Sequence, residues 1–167
     1  MLILMKYLVF SAFALALLSC KKNDAPDQHL IAWGETLQCK VDGVNWHASK
    51  DGDLFAQSVS GTLYGDSMLL LSANSGIESI GIAIYSGSIS QGGPFALSGN
   101  LPYNSSAHYD NDLSTANFTT DSLRNGIMKC SLDKDQSIVY GGFSFDAYHP
   151  VTHKVVHITD GFFSIKY

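Results

Sequence analysis

The sequence is poor in residues that favour helices. Among its 167 residues it has only two glutamates, Glu35 and Glu78, and a single arginine, Arg124. Glycine, serine, threonine, phenylalanine and tyrosine are plentiful instead, and these residues are typical of strands and turns. The composition therefore argues against a helical protein and favours β structure.

The sequence also lacks the local motifs of the common enzyme classes. It has no Gly-x-Ser-x-Gly, no His-Glu-x-x-His, no phosphate-binding loop and no dinucleotide-binding glycine pattern. The formal net charge of −5 at pH 7 offers no basic surface to a nucleic-acid backbone. We therefore expect a protein that is not an enzyme, needs no cofactor and binds no nucleic acid.

No apolar run is long enough to span a membrane as a helix, which takes about 20 residues. The longest run, residues 7–18, follows Lys6 and ends in Leu17-Leu18-Ser19-Cys20. A positive start, a short apolar core and small residues at the end are typical of a cleavable export signal. The Leu-x-Ser-Cys ending resembles the lipobox of bacterial lipoproteins, in which the cysteine is acylated and becomes the first residue. An ordinary signal peptide with a chance cysteine is the alternative.

We expect three segments: a lipoprotein signal peptide at 1–19, a flexible tether at 20–30 after lipidated Cys20, and a β domain at 31–167. The tether is polar and contains Pro26. No aspartate follows Cys20 directly, and by resemblance to lipoprotein sorting rules this favours the outer membrane. The lipid would make the membrane a partner, and the periplasmic or surface face stays open.

Alternating apolar and polar residues predict strands with one buried face. The stripes are Leu37-Cys39-Val41, Ile80-Ile82-Ile84, Met128-Cys130-Leu132, Phe143-Phe145-Ala147 and Phe163-Ile165-Tyr167. Asp42-Gly43 and Asp160-Gly161 are candidate two-residue hairpin turns, and Gly141-Gly142 is a candidate bulge. About nine to ten short strands separated by turns predict a single antiparallel β-sandwich or flattened barrel.

Three segments carry a resemblance to a known family. They are Cys39-x-Val41-x-Gly43-x-x-Trp46, Gly142-Phe143-Ser144-Phe145-Asp146-Ala147 and Ile158-Thr159-Asp160-Gly161-x-Phe163. With the lipobox, they resemble an uncharacterised family of small Bacteroidota lipoproteins, over about Cys39 to Tyr167. The resemblance implies an envelope location and a β fold closed by a Thr-x-Gly-x-Phe hairpin. It implies no catalytic residue, because the family has no assigned activity.

Cys39 and Cys130 are in phase with the apolar residues of their strands, so both should face the core. In an oxidising compartment they could form a disulfide. Its loop of about 90 residues would contribute about 4 kcal/mol by the chain-entropy estimate. Two separate buried thiols that pack as small hydrophobes are the alternative.

His149, His153 and His157 are spaced by four, which on a helix would present a zinc-binding face. Pro150 argues against a helix, and no further ligand follows at a known spacing. We therefore expect solvent-facing histidines beside a hairpin turn and no metal site.

Residues 100–125 are polar and predict a long loop with one brief strand near Phe118. Its Tyr103, His108 and Tyr109 are candidates for stacking on a sugar or contacting a partner. Packing of the loop onto its own domain is the alternative. For Trp46, beside the first turn, we favour core packing.

Asp66-Ser67-Met68 and Asp121-Ser122-Leu123 resemble the short O-glycosylation pattern of Bacteroidota, which makes Ser122, and after it Ser67, candidate modification sites. Taken together, the sequence favours a non-enzymatic binding or interaction module at the cell envelope, with a glycan or an envelope protein as partner. A structural, protective or inhibitor-type lipoprotein is the alternative, and a hydrolase is third.

Replacing Cys20 with alanine is expected to release the domain from membranes without unfolding it, because the lipid on this residue is the only anchor that the sequence offers. Immunoblots of membrane and soluble fractions measure the release, and thermal unfolding measures the fold. Cys39→Ala is the matched control and should stay membrane-bound. A Cys20→Ala protein that remains in the membrane fraction contradicts the lipoprotein prediction.

Overall fold

The computed structural model describes residues 35–48, 58–99, 104–111 and 117–167. They form eleven strands and one short 3-10 turn (Ile89–Gln91). The strands are β1 (Thr36–Val41), β2 (Val44–His47), β3 (Val59–Tyr64), β4 (Met68–Ser75), β5 (Glu78–Tyr85), β6 (Phe95–Leu97), β7 (Ser106–Asp110), β8 (Phe118–Thr119), β9 (Gly126–Asp133), β10 (Ile138–Tyr148) and β11 (Val155–Lys166). The predicted all-β class is confirmed. The predicted signal peptide and tether, Cys20 and Tyr103 lie outside the described residues.

The strands form one antiparallel sheet that curls into a half-barrel. The main order is β2-β1-β11-β10-β8-β7-β5-β4-β3, and β9 and β6 branch from β10. The branch exists because β10 is long: residues 138–145 pair with β9, whereas Tyr148 pairs with Thr119 of β8. The curl brings β3 over β11, where Gly61 leaves room for the side chain of Ile165.

The concave face of the sheet encloses one apolar core. Its largest fully buried side chains include Phe163, Leu37, Leu69 and Ile80, each at most 1 % exposed. The predicted stripes supply half of the twelve largest fully buried side chains, because every second residue of a strand points to the same face. Within the stripes, Val41 and Leu132 are only half-buried, and Tyr167, which follows β11, is 38 % exposed. Burial of this apolar surface is the main force that holds the sheet in its curled form.

The two predicted Asp-Gly turns have different outcomes. Asp42 and Gly43 connect β1 to β2 with φ angles of 49° and 81°, as a type I′ turn requires. The predicted turn at Asp160-Gly161 is wrong, since β11 runs through it. Asp160 has a φ of 53° but forms a bulge, at which the register with both β1 and β10 shifts by one residue.

The predicted bulge at Gly141-Gly142 is also wrong, because β9 and β10 pair there in continuous register. The physical reason for Gly141 is the close approach of the neighbouring backbone. A Cβ at this position would overlap the carbonyl oxygen of Lys129 on β9. Glycine at this position therefore allows the backbones of β9 and β10 to come close together and does not mark a bulge with an extra residue.

The antiparallel pairing defines two ends of the half-barrel. At the end that we call proximal, β1 begins, β3 turns into β4, β9 turns into β10, and β11 ends. At the distal end lie the β1–β2, β4–β5 and β10–β11 connections. None of the described residues belongs to a helix long and apolar enough to cross a membrane.

Gly141→Ala is expected to lower the free energy of unfolding by about 1–3 kcal/mol, because backbone atoms of β9 must move to admit the methyl group. Urea denaturation followed by tryptophan fluorescence measures the change. Gly87→Ala is the matched control: a Cβ there meets no atom within 4 Å, and its effect should stay within about 0.5 kcal/mol. Equal stability of the two variants would show that the strand pairing at Gly141 is looser than described.

Candidate functional site

A groove of about 320 Å³ lies at the proximal end. Its lining combines apolar, aromatic and charged side chains from four separate parts of the chain. The lining residues are Leu63, Gly65, Asp66, Ser90, Leu132, Lys134 and Tyr167. A volume near 300 Å³ is the lower limit of ordinary ligand pockets.

One wall of the groove is the β3–β4 turn, which is tied to the 3-10 turn by Asp66. The Asp66 carboxylate accepts a hydrogen bond from the backbone N–H of Ser90 (2.5 Å) and another from the Ser90 hydroxyl (2.8 Å). In addition, the Ile89 N–H donates to the carbonyl oxygen of Asp66 at 3.1 Å. The two bonds from Ser90 hold the carboxylate in one orientation, and the bond from Ile89 holds the backbone of the β3–β4 turn.

The core holds this wall in place. Ile89 is fully buried and anchors the 3-10 turn to the apolar core. The residue after the turn, Gly92, has a φ of 90°, and its carbonyl oxygen accepts a hydrogen bond from Cys130 of β9 at 3.2 Å. A rigid support of this kind is what a binding group needs in order to keep its geometry.

The opposite wall is the end of the β9–β10 hairpin together with Tyr167. Asp133 accepts hydrogen bonds from the N–H groups of Asp135 and Gln136, both at 3.1 Å, and so closes the turn that carries Lys134. The backbone of Tyr167 donates to Ser137 at 3.0 Å, which holds the chain beside the same turn. Hydrogen bonds of the β9–β10 turn therefore hold both Lys134 and the backbone of Tyr167 at this wall of the groove.

The charges in the groove are positioned for hydrogen bonding with a polar ligand. The hydrogen bonds from Ser90, first that of its backbone N–H, and the positive charge of Lys134 hold the pKa of Asp66 below its usual range. Asp66 is therefore a carboxylate at neutral pH, with lone pairs left to accept hydroxyl protons. Lys134 supplies donors, and Leu63 and Leu132 supply an apolar floor.

The structure does not support the predicted binding loop. Residues 106–110 form β7, and Tyr109 is 4 % exposed with its hydroxyl donating to Glu78 at 2.7 Å. The expectation that Tyr109 is an exposed binding residue is wrong, because its ring fills the core beside Phe118. His108 is exposed on the outer face and packs over Gly81. Trp46, at 6 % exposed, packs in the core as expected.

Cys39 and Cys130 both face the core as predicted, and both are free thiols. They lie on β1 and β9, and β11 and β10 stand between these strands. Three strand spacings amount to about 14 Å along the sheet, beyond the Cα separation of about 7 Å that a disulfide tolerates. Burial raises the pKa of Cys39 to about 12 and that of Cys130 to about 11, so neither is a reactive thiolate.

The structure does not bring His149, His153 and His157 together. The expectation that His149 faces solvent is wrong: its side chain is buried, because its Nδ1 accepts hydrogen bonds from the N–H groups of Val151 and Thr152 in the β10–β11 connection. His153 pairs with the hydroxyl of Tyr148, and His157 with Asp146 at 2.7 Å. Within the described ranges, no three histidine, cysteine or acidic side chains are close enough to hold a metal ion.

Ser67 and Ser122 are both exposed. The Ser67 hydroxyl donates to the carbonyl oxygen of Tyr64 at 3.0 Å within the β3–β4 turn. Ser122 lies in a bend whose preceding residue, Asp121, pairs with Arg124 at 2.9 Å. A glycosyltransferase could reach both side chains because both are exposed. Glycosylation of Ser67 and of Ser122 stays a prediction.

The groove residues were not identified from the sequence. Asp66, Lys134 and Ser90 lie in turn-rich segments, where polar residues are the rule, and no spacing connects them.

A family model matches most of the chain. The family described as "Domain of unknown function (DUF6252)" matches residues 36–165. Neither a curated protein nor a solved structure matches the chain.

The pKa of His157 should lie above its ordinary value, because Nδ1–H donates to the carboxylate of Asp146 and this charge favours the protonated ring. A pKa raised by folding means that the pair stabilises the protein at acidic pH and that this stabilisation is lost as the pH rises through the folded-state pKa. An NMR titration of the imidazole signals measures the shift, and Asp146→Asn should abolish most of it. Asp160→Asn, which removes a carboxylate that pairs with Lys40, should leave the titration unchanged; an equal effect of both variants would contradict a specific pair.

Proposed function

Because the chain belongs to the DUF6252 family, whose description assigns no activity, we propose its function from the groove itself: a non-enzymatic module of the cell envelope that binds a saccharide at the proximal end. The observation that carries the proposal is the joint presence of an oriented carboxylate, an ammonium group and an aromatic ring around one apolar floor. These are the groups of Asp66, Lys134 and Tyr167.

The chemistry of a sugar fits each of these groups. A sugar hydroxyl both donates and accepts, so neighbouring hydroxyls can donate to Asp66 and accept from Lys134. A sugar ring also presents a face of C–H groups, which packs against an aromatic ring and an aliphatic floor. The Tyr167 ring and Leu63 supply these surfaces. An entirely apolar ligand would leave the carboxylate and the ammonium group without partners, which is costly.

The envelope location belongs to the same proposal and rests on the sequence alone. The export signal and the lipobox at Cys20 support a lipid anchor, and the missing aspartate after Cys20 supports the outer membrane. The small Bacteroidota lipoprotein family named above is the setting that this combination favours. In this setting the lipid connects the module to the membrane, and no second membrane contact is needed.

Two other functions are compatible with the chain. A structural, protective or inhibitor-type lipoprotein would need the fold and the anchor but not the groove, so mutation of the groove would leave its role intact. A hydrolase is less favoured. The Asp146–His157 pair is half of a catalytic arrangement, but in the described part of the chain the structure gives the second ring nitrogen of His157 no hydroxyl or thiol partner. Labelling with a serine-reactive probe would reveal a hydrolase.

Tyr167→Ala and Lys134→Ala are each expected to weaken saccharide binding about tenfold, since one stacking contact or one charged hydrogen bond contributes about 1.5 kcal/mol. A glycan array selects the saccharide, and titration calorimetry with that saccharide measures the affinity. Tyr64→Ala is the matched control, because Tyr64 is 52 % exposed on the same strand end but does not line the groove.

The pH dependence supplies a second readout. Binding should persist into mildly acidic solution, because the lowered pKa keeps Asp66 ionised there, and it should fall once the carboxyl group is protonated. A wild-type protein that binds no saccharide on the array, or groove variants that bind as well as Tyr64→Ala, would refute the proposed function.

A further inference from the structure

The two charged side chains of the groove do not pair with each other directly. Asp66 and Lys134 are the charged residues of the described lining, and no ion pair of the described residues joins them. Lys134 is nevertheless close enough for its positive charge to help lower the pKa of Asp66. A gap therefore separates the two groups, and a ligand group that enters it meets a carboxylate on one side and an ammonium group on the other.

The two sides of this gap make opposite requirements. The Asp66 oxygens each accept one hydrogen bond from Ser90, and an ionised carboxylate has about four acceptor sites, so both oxygens can still accept from a ligand. Lys134 is exposed on the β9–β10 turn, and its ammonium group has donors but no acceptor. A ligand group in the gap must therefore donate to Asp66 and accept from Lys134.

A hydroxyl group meets both requirements, because it carries one donor and two acceptor lone pairs. An ammonium group of the ligand could donate to Asp66, but it offers no acceptor to Lys134 and is repelled by its charge. A carboxylate of the ligand could accept from Lys134, but it offers no donor to Asp66 and is repelled in turn. An ionised group in the gap thus gains one partner and faces one like charge, which is how a binding site rejects the wrong ligand.

We infer that the groove selects neutral saccharides by placing a sugar hydroxyl between Asp66 and Lys134, and that it rejects uronic acids and amino sugars. The inference deepens the proposed function and rests on it, since it specifies the class of saccharide. Leu63, Leu132 and the Tyr167 ring offer the same C–H contacts to neutral and to charged sugars. The discrimination should therefore come from the two charged side chains.

The test compares sugars that share a ring and differ in one ionisable group. The probes are the methyl glycosides of glucose, galactose and mannose, each with its uronic acid and its 2-amino sugar. They are titrated slightly below neutral pH into the full chain in a sugar-free, non-ionic detergent, and NMR chemical shifts measure the dissociation constants. We expect a neutral sugar to bind about fivefold tighter than both of its charged counterparts, because one hydrogen bond is replaced by one repulsion.

Two variants that remove one charge should each relax one side of the selection. Asp66→Asn keeps a carbonyl oxygen for Ser90, and it should bring the affinity for uronic acids close to that for neutral sugars while amino sugars stay rejected. Lys134→Gln should do the reverse. Asp135→Asn and Lys166→Gln are the matched controls, because they remove the same charges from exposed residues that do not line the groove. Both controls should keep the wild-type preference.

The outcomes separate the inference from the proposed function. Equal affinities for neutral and charged sugars, or tighter binding of either charged class, overturn the inference and leave saccharide binding intact. A preference for neutral sugars that persists in both groove variants also overturns it, because the shape of the groove would then select the ligand. If only glycans of the array bind, their charges are judged by the same criterion. A wild-type protein that binds neither these sugars nor any glycan of the array overturns the proposed function and the inference with it.

Discussion

The pairing of β10 with β11 is the constraint on which the rest of the structure depends. These are the two longest strands, and they pair over most of their length. One side of the pair carries β1 and the other carries both β9 and β8, so each branch of the sheet starts from it. Phe143, Phe145 and Phe163 place their rings on its concave face and contribute a large share of the buried surface. The bulge at Asp160 adds twist where the sheet must begin to curl.

The strands that could be predicted are those in which the local pattern and the tertiary environment agree. Ile80, Ile82 and Ile84 alternate with small residues, and all three are buried. β7 was missed because only Ala107 and Tyr109 face the core, and a polar sequence surrounds them. What makes it a strand is pairing with β5 on one side and β8 on the other. Pairing with other strands of the sheet does not produce an alternation of apolar and polar residues within a short stretch of sequence, so this strand could not be recognised from its local pattern.

The same reasoning explains why the candidate site was invisible in the sequence. Turn residues and ligand-binding residues are drawn from the same polar set, and Asp66 is a turn residue that also lines the groove. Its neighbour in the groove, Lys134, is 68 positions away along the chain. Burial requires an apolar residue at every second position of a strand, so the sequence shows a clear period of two. A groove at the end of a sheet forms only where separate turns pack together, and this packing leaves no repeated pattern in the sequence.

In an exported chain, the free thiols of Cys39 and Cys130 would limit the time available for folding. If the chain is exported unfolded, as its first twenty residues suggest, both sulfhydryl groups pass through an oxidising compartment before the core closes over them. Once buried, their raised pKa values leave almost no thiolate to react. In an exported chain, Cys39 would therefore be the later thiol to be protected, because its strand, β1, pairs with β11, the last strand of the domain, and pairings between distant parts of a chain form slowly.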